Sequence, residues 1–398
     1  MELKNKTIFF LGTTKFDGKD QSTSFSIAKQ LAKNNSVYYI DYPFTLKDYF
    51  IFKESDQIKF RKSYFSLFSN GVISTDDPNF KIVIIPPLLS INFLPEGPIY
   101  RLMLRFNEFI IIRRLKKVIK SYKIRDLIYF NSFNFHYPDI ADSLKPLLKI
   151  YHCVDPMITP YDMKHGIISE GKLVKKSDLV ICTSRQLCNE KMLQNTNTYF
   201  IPNAADISHS RKALNAELPV DECLTGIKKP VIGYVGTVER RIDYPLLKEV
   251  IEKNPDKSFV FAGPLTAEFI PEWFDKLPNL HLLGRIPHER VPNIIKGFDI
   301  TMIPFKKDAV SATIFPLKLF EYLGAGKPVI STTFNPDIEE FTNGTVTFCD
   351  DEMMFSKAIE NILATDNEAK KQSRIAVATE NTWEKRASDI SGLINSYL

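Results

Sequence analysis

Short apolar runs recur along this chain, and each is followed by a polar loop and a stretch with helical spacing. Thr7 to Leu11 is the first run, Gly12 and Gly18 bracket the loop, Ser22 to Ala32 has helical spacing, and Ser36 to Ile40 is the next run. Strand, loop, helix, strand is the opening of an α/β domain with parallel strands, covered by helices on both faces. Further runs at Lys81 to Ile85, Asp126 to Phe130, Lys149 to His152, Leu179 to Cys182 and Tyr199 to Pro202 extend this first series. The segment from Ala205 to Pro230 is polar and weakly periodic, so it reads as an interdomain connection. A second series then starts at Val231 to Val235 and continues through Ser258 to Ala262, Leu280 to Leu283, Asp299 to Ile303, Val329 to Thr332 and Thr345 to Phe348. Tyr244 to Glu252, Lys318 to Leu323, Met353 to Thr365 and most of Ala369 to Leu398 are expected to be helical. The expectation is two α/β domains with parallel strands, at 1–208 and 228–374, with a cleft between the carboxyl ends of their strands.

A chain of 398 residues accommodates two such domains, each with its own core. The charged fraction of 25% and hydrophobic fraction of 44% exclude a disordered chain. Net charge of +5 is far below that of a dedicated nucleic-acid binder, so no nucleic-acid partner is expected. Five cysteines without a CxxC pair argue against a disulfide framework or a structural zinc site. His281 and His288 lack a third ligand at helical spacing. No window of about 18 residues is both apolar and uncharged, and the start lacks a signal-peptide pattern. A cytoplasmic protein is therefore expected.

Leu317 to Ser331, LKLFEYLGAGKPVIS, carries the most chemistry. It joins a helix bearing Lys318 and Glu321 to a Gly324-Ala325-Gly326 turn and an apolar strand. A carboxylate at Glu321 has acceptor capacity for both hydroxyls of a ribose. The glycine turn reads as one shaped for close backbone approach, and Lys318 is a further candidate phosphate contact.

FEYLGAGKPVI resembles the donor-site helix and turn of the retaining, two-Rossmann-domain (GT-B) glycosyltransferases of family 4. Weaker likenesses occur at GYVGTVE (Gly233 to Glu239), FAGP (Phe261 to Pro264), LGRIPHERVP (Leu283 to Pro292) and FIPNAADI (Phe200 to Ile207). ATIFPLKLFEYL resembles a subgroup that makes bacterial surface polysaccharides, including teichuronic acid glycosyltransferases. The resemblance implies that Glu321 holds the ribose of a nucleotide-diphosphate sugar and that the reaction uses no cofactor or bound metal. The acceptor it implies is a glycan or a lipid-linked sugar. It places Gly236, Leu319, Arg285 and Ile286 at the donor, and it implies two Rossmann-like domains facing across a cleft. NTWEKRASDISGLINSYL (Asn381 to Leu398) resembles the family's terminal helix, which implies that residues 375–398 return to complete the first domain. At the position where many members carry a second glutamate, this chain has Thr313. The usual Arg and Lys pair of the diphosphate clamp is replaced by Arg240 and Arg241, which read either as phosphate ligands or as solvated charge. Noncatalytic binding of a nucleotide sugar and epimerisation of one are the competing activities.

In the first half, Gly12 to Ser22 lacks both the GxGxxG and the Walker pattern. The resemblance places this loop near donor phosphate or acceptor, so Gly18 and Lys19 read either as contacts there or as ordinary loop residues. His136, Asp155 and His152 follow strand ends, where a polar group either orients an acceptor or serves the fold. With Lys318, His136 and Asp155 form the candidate catalytic set. Arg101 to Lys120 contains seven basic residues and one acidic. It reads as a helix lying on an anionic membrane, as one packed on the first sheet, or as both.

Overall fold

The computed structural model describes residues 2–18 and 22–398. The chain divides into two compact units, Met1–Pro202 with Arg386–Leu398, and Asn203–Lys385. Both are Rossmann-like α/β domains, and the architecture is GT-B.

The first sheet contains β1 (Thr7–Leu11), β2 (Ser36–Ile40), β3 (Val72–Ser74), β4 (Phe80–Val83), β5 (Leu127–Ser132), β6 (Leu148–Cys153), β7 (Leu179–Cys182) and β8 (Thr198–Phe200). Their order is β3-β4-β2-β1-β5-β6-β7-β8, parallel except for the β3–β4 pair. Residues of β1, β5, β6 and β7 are almost all inaccessible to solvent, as expected for strands covered on both faces. The sequence reading missed β3, a three-residue antiparallel edge strand with no buried residue. Arg61, fully buried, ties the loop after β1 to the end of β2. Its Nε donates to Asp41 at 2.7 Å, and its two terminal nitrogens donate to Asp17 at 2.8 and 2.7 Å.

The second sheet contains β9 (Val231–Val235), β10 (Ser258–Ala262), β11 (Leu280–Gly284), β12 (Ile300–Ile303), β13 (Val329–Thr332) and β14 (Val346–Cys349). The order is β11-β10-β9-β12-β13-β14, and every pair is parallel. Strand order reverses between β9 and β12. Loops leaving neighbouring strands at such a point part to opposite faces and open a crevice at the carboxyl ends.

Two boundaries differ from the expected ones. The segment after Pro202 is not a free connection but part of the second unit. Asp206 caps the Ile207–Ser210 helix by accepting from the Ser208 N–H at 2.9 Å, and Ala213 and Leu224 are buried. The returning segment begins at Arg386 rather than 375. The Glu368–Glu380 helix stays in the second unit because Arg374 donates to the Gly326 carbonyl at 2.9 Å and pairs with Asp366 at 2.7 Å. The Trp383–Asn395 helix then buries Ile390 and Ile394, and Arg386 donates to the Pro202 carbonyl at 3.1 Å.

The basic segment forms the core of a helix at Pro98–Tyr122. Leu104, Ile111, Leu115 and Val118 are buried, so the packed reading describes one face of it. Its charges are not all surface charges. Arg114 is buried and donates to the carbonyls of Tyr64 and Ser66 at 3.1 and 2.9 Å, and Arg101 is paired with Glu96 at 2.6 Å. Among the described residues no helix is long and apolar enough to cross a membrane.

Candidate functional site

The carboxyl end of β9 leads into Gly236, and that of β12 leads into Phe305. The Leu317–Gly324 helix delivers Lys318 to this point. Its ammonium donates to the Tyr234 hydroxyl at 2.6 Å and lies 3.9 Å from the centre of the Tyr234 ring and 5.2 Å from that of Phe305. The Tyr234 hydroxyl passes the chain on, donating to the Thr237 carbonyl at 3.0 Å. Burial pushes the Lys318 ammonium down to about 7, and Arg241 adds to the effect. Glu321 and Glu239 oppose it. An amine in this setting is poised to gain a proton when an anion arrives.

Gly236 has φ of +135°, and a Cβ there would sit 2.5 Å from the Lys318 nitrogen. Only glycine leaves room for the ammonium. A Cβ on Gly263 would lie 2.0 Å from the Gly236 carbonyl oxygen, so the two glycines of GYVG and FAGP stack their backbones. Helix entry at Pro316 provides no side-chain cap; the Leu319 N–H donates to the Pro316 carbonyl at 3.2 Å, which leaves the Leu317 and Lys318 N–H groups without an acceptor within the helix. Ammonium, glycine backbone and helix amino terminus together concentrate positive charge and N–H donors at this point.

Glu321 lies one turn further along the helix from Lys318 and is only partly exposed. Among the described residues its carboxylate accepts no hydrogen bond. Burial raises its pKa, Lys318 pulls it back down, and Asp206 pushes it up. A half-buried carboxylate without protein donors is held ready for hydroxyl donors. Beside it, the Tyr322 hydroxyl accepts from the Val235 N–H at 2.7 Å and so clamps the helix to the end of β9.

The other expected donor residues are dispersed. Thr313 is buried, and its hydroxyl donates to the Val310 carbonyl at 2.7 Å. Leu319 is fully buried in the core, so its side chain is packing rather than a ligand contact. Arg241 is engaged by Glu239 and lies 5.5 Å from the Phe305 ring centre. Arg240 has no ion pair among the described residues. Arg285 is exposed, whereas Ile286 packs against the cluster around Leu224 and Phe298. The loop that carries both is held by His288, whose ring stacks on His209 at 4.1 Å, and by Arg290, which pairs with Asp221 at 2.6 Å.

The glycine turn does admit close approach, as expected, but of neighbouring elements. It lies at the carboxyl end of the helix, away from Lys318. A Cβ on Gly324 would meet Ile207 and Ser210 at 3.1 Å, and one on Gly326 (φ +72°) would meet Lys371 at 2.9 Å. These glycines admit neighbouring elements, not a ligand.

In the first unit, Gly18 is exposed in a turn whose N–H donates to the Lys15 carbonyl at 3.1 Å, while Lys19 lies outside the described residues. His136 is mostly buried and lies 3.9 Å from Asp162. Burial lowers its pKa, and Asp162 opposes the shift. Asp155 is exposed beyond β6, where its carbonyl lies 3.9 Å from the Cys153 sulfur. His152 is internal. Its Nδ1 is 3.0 Å from the Ser132 hydroxyl, and burial takes its pKa down to about 3, so it serves the fold. Sequence reasoning missed Tyr234, Tyr322 and Phe305. Tyr234 and Phe305 lie at or near strand ends and Tyr322 on the helix beside Glu321, and β9 is apolar throughout, so no alternation in the sequence marks Tyr234. Among the described residues no three His, Cys, Asp or Glu side chains are grouped to hold a metal.

A family model described as "Glycosyl transferase-like" matches residues 240–392. The chain is 26% identical over 258 residues to a Bacillus subtilis protein with the provisional name teichuronic acid biosynthesis glycosyltransferase TuaH. That match spans 59% of this chain and 63% of the relative's length. Among solved structures, sucrose-phosphate synthase from Thermosynechococcus elongatus superposes with a TM-score of 0.64 at 14% identity, covering 98% of this chain and 99% of that one. Anabaena Alr3699/HepE in complex with UDP gives a TM-score of 0.61 at 13% identity, covering 98% and 100%. The solved structures show the GT-B fold, and residues 240–392 are similar in sequence to the glycosyl transferase-like family.

Proposed function

We propose that this protein transfers a sugar from a nucleoside-diphosphate sugar to a glycan or lipid-linked acceptor in surface-polysaccharide synthesis, with retention of configuration. The observation that carries the reading is the pairing, on one helix at the β9/β12 crevice, of a lysine lowered to about 7 with a carboxylate that has no protein donor. Lys318 and the helix amino terminus hold the diphosphate, and Glu321 accepts from the ribose hydroxyls. Arg240 or Arg241 adds charge at the phosphates, and Gly236 provides the approach. Arg285 and Ile286 line the base. The likeness to a relative named for teichuronic acid biosynthesis and to a structure holding UDP supports this choice of substrate class.

In the proposed reaction the bond from the sugar's anomeric carbon to the β-phosphate oxygen breaks, and the acceptor oxygen bonds to that carbon on the same face. The acceptor proton passes to the departing phosphate. Lys318 stabilises the charge that develops there, an electrostatic contribution of the kind that dominates many enzymes. His136 and Asp155 of the first unit are the proposed acceptor-side groups, and the transfer needs no metal. One observation favours a noncatalytic binder as second reading: the Thr313 hydroxyl is committed to Val310, and no carboxylate occupies that position.

Thermal-shift screening against UDP-, GDP- and other nucleotide sugars tests the donor site. Selective stabilisation that disappears in Glu321→Ala is expected. Equal stabilisation of the variant overturns the ribose assignment. Release of nucleoside diphosphate with acceptor-dependent product formation separates transfer from binding alone.

A further inference from the structure

The helix at Pro98–Tyr122 presents one solvent-facing stripe of two chemical kinds. Positions 99, 102, 106, 109, 113, 116 and 120 follow the alternating three- and four-residue spacing of a single helix face. The first four are Ile99, Leu102, Phe106 and Phe109, which are 69%, 60%, 49% and 55% exposed. The last three are Arg113, Lys116 and Lys120, all exposed. Among the described residues these three, and the neighbouring exposed Arg105, form no ion pair. The one acidic residue of the helix, Glu108, is buried and accepts from the Asp139 N–H at 2.8 Å. Asp139, which borders a groove with Arg105, Arg113 and Lys116, is neutralised by Lys176 at 2.6 Å.

The surface continues beyond the helix. Lys117 donates to the carbonyls of Leu67 and Phe68, which fixes that loop at the side of the helix with the Phe68 ring 92% exposed. Phe93, just before the helix, is 77% exposed. A soluble surface scatters single apolar residues. Here they form a continuous file ending in unpaired cations.

We propose that this face docks on an anionic lipid bilayer. The helix lies along the interface. Ile99, Leu102, Phe106 and Phe109 enter the headgroup–acyl boundary, and Arg113, Lys116 and Lys120 meet lipid phosphates. A bilayer is favoured over a protein partner because it offers both kinds of contact along one plane. An amphipathic surface helix binds through apolar area plus attraction to anionic lipid. The inference stands apart from the donor site, because none of its residues belongs to the proposed transfer machinery.

The test is co-sedimentation of the full chain with phosphatidylcholine vesicles, with and without phosphatidylglycerol. Preferential binding to the phosphatidylglycerol vesicles, weakened by salt, is expected. Each basic side chain near such a surface is worth about a fivefold change in partitioning, so Arg113→Glu, Lys116→Glu and Lys120→Glu together reduce binding by roughly a hundredfold or more. Phe106→Ser with Phe109→Ser reduces binding that persists at high salt. All these side chains are exposed, so melting temperature and nucleotide binding are unchanged, which keeps this test independent of the donor-site reading. Equal binding to both vesicle types, or unaltered binding by the charge-reversed protein, overturns the proposal. Self-association that Phe106→Ser abolishes, without vesicle binding, assigns the face to a second copy and overturns it as well.

Discussion

At the scale of single residues, Lys318 and Glu321 stand one turn apart on one helix and carry the proposed donor chemistry. Lys318 is expected to make nucleotide binding depend on pH. Below pH 7 the free protein carries the ammonium, and binding moves no proton. Above pH 7 the free amine is neutral, the bound diphosphate favours the charged form, and binding takes up a proton. Affinity therefore falls as pH rises through 7, by up to about tenfold per unit until the pKa of the complex is reached. Calorimetry at pH 8 in two buffers of different ionisation enthalpy should report uptake of about one proton by the wild type and almost none by Lys318→Met. Pairing of Lys318 with Glu321 was legible in the sequence because a helix register is short-range. Tyr234, which holds the ammonium, was not, since it comes from a strand 84 positions away. Nor was the internal role of His152, because its burial depends on how β6 packs.

At the scale of elements, strands were the most legible feature. Buried parallel strands must be apolar throughout, so β1, β2, β7, β9 and β10 stood out as uninterrupted runs. The edge strand β3 was illegible because it buries nothing. Glycine motifs were visible as letters, but their reasons were not. GYVG and FAGP each supply one glycine to a single backbone crossing, at Gly236 and Gly263. Gly263→Ala places a Cβ 2.0 Å from the Gly236 oxygen, so the loop facing Lys318 must move. A loss of about 1–3 kcal/mol in stability is expected, as for an overpacked site. Calorimetric melting together with nucleotide titration checks this, and affinity should fall with stability. The glycines of GAG stand at the other end of the helix, where the Ile207–Ser210 and Glu368–Glu380 helices press on them.

At the scale of the whole molecule, two series of strands announced two Rossmann-like units, but the chain's crossings between them were obscure. Helical spacing runs through both Glu368–Glu380 and Trp383–Asn395, so periodicity alone does not reveal that Arg374 anchors the first to Gly326. A chain ending at Lys385 would lose the buried Ile390 and Ile394 from the first unit. Their removal should cost that unit about 3–6 kcal/mol, visible as earlier protease cleavage within 1–202 than within 203–385. The central claim is that the second unit grips the ribose of a donor nucleotide through Glu321. Its most direct test compares the affinities of UDP and 2′,3′-dideoxy-UDP, or the equivalent pair for the preferred base, in wild type and in Glu321→Ala. A preference for the ribonucleotide of about tenfold to a hundredfold is expected in wild type, as for hydrogen bonds to a charged group, and almost none in the variant. A preference of the same size in both proteins would contradict the claim.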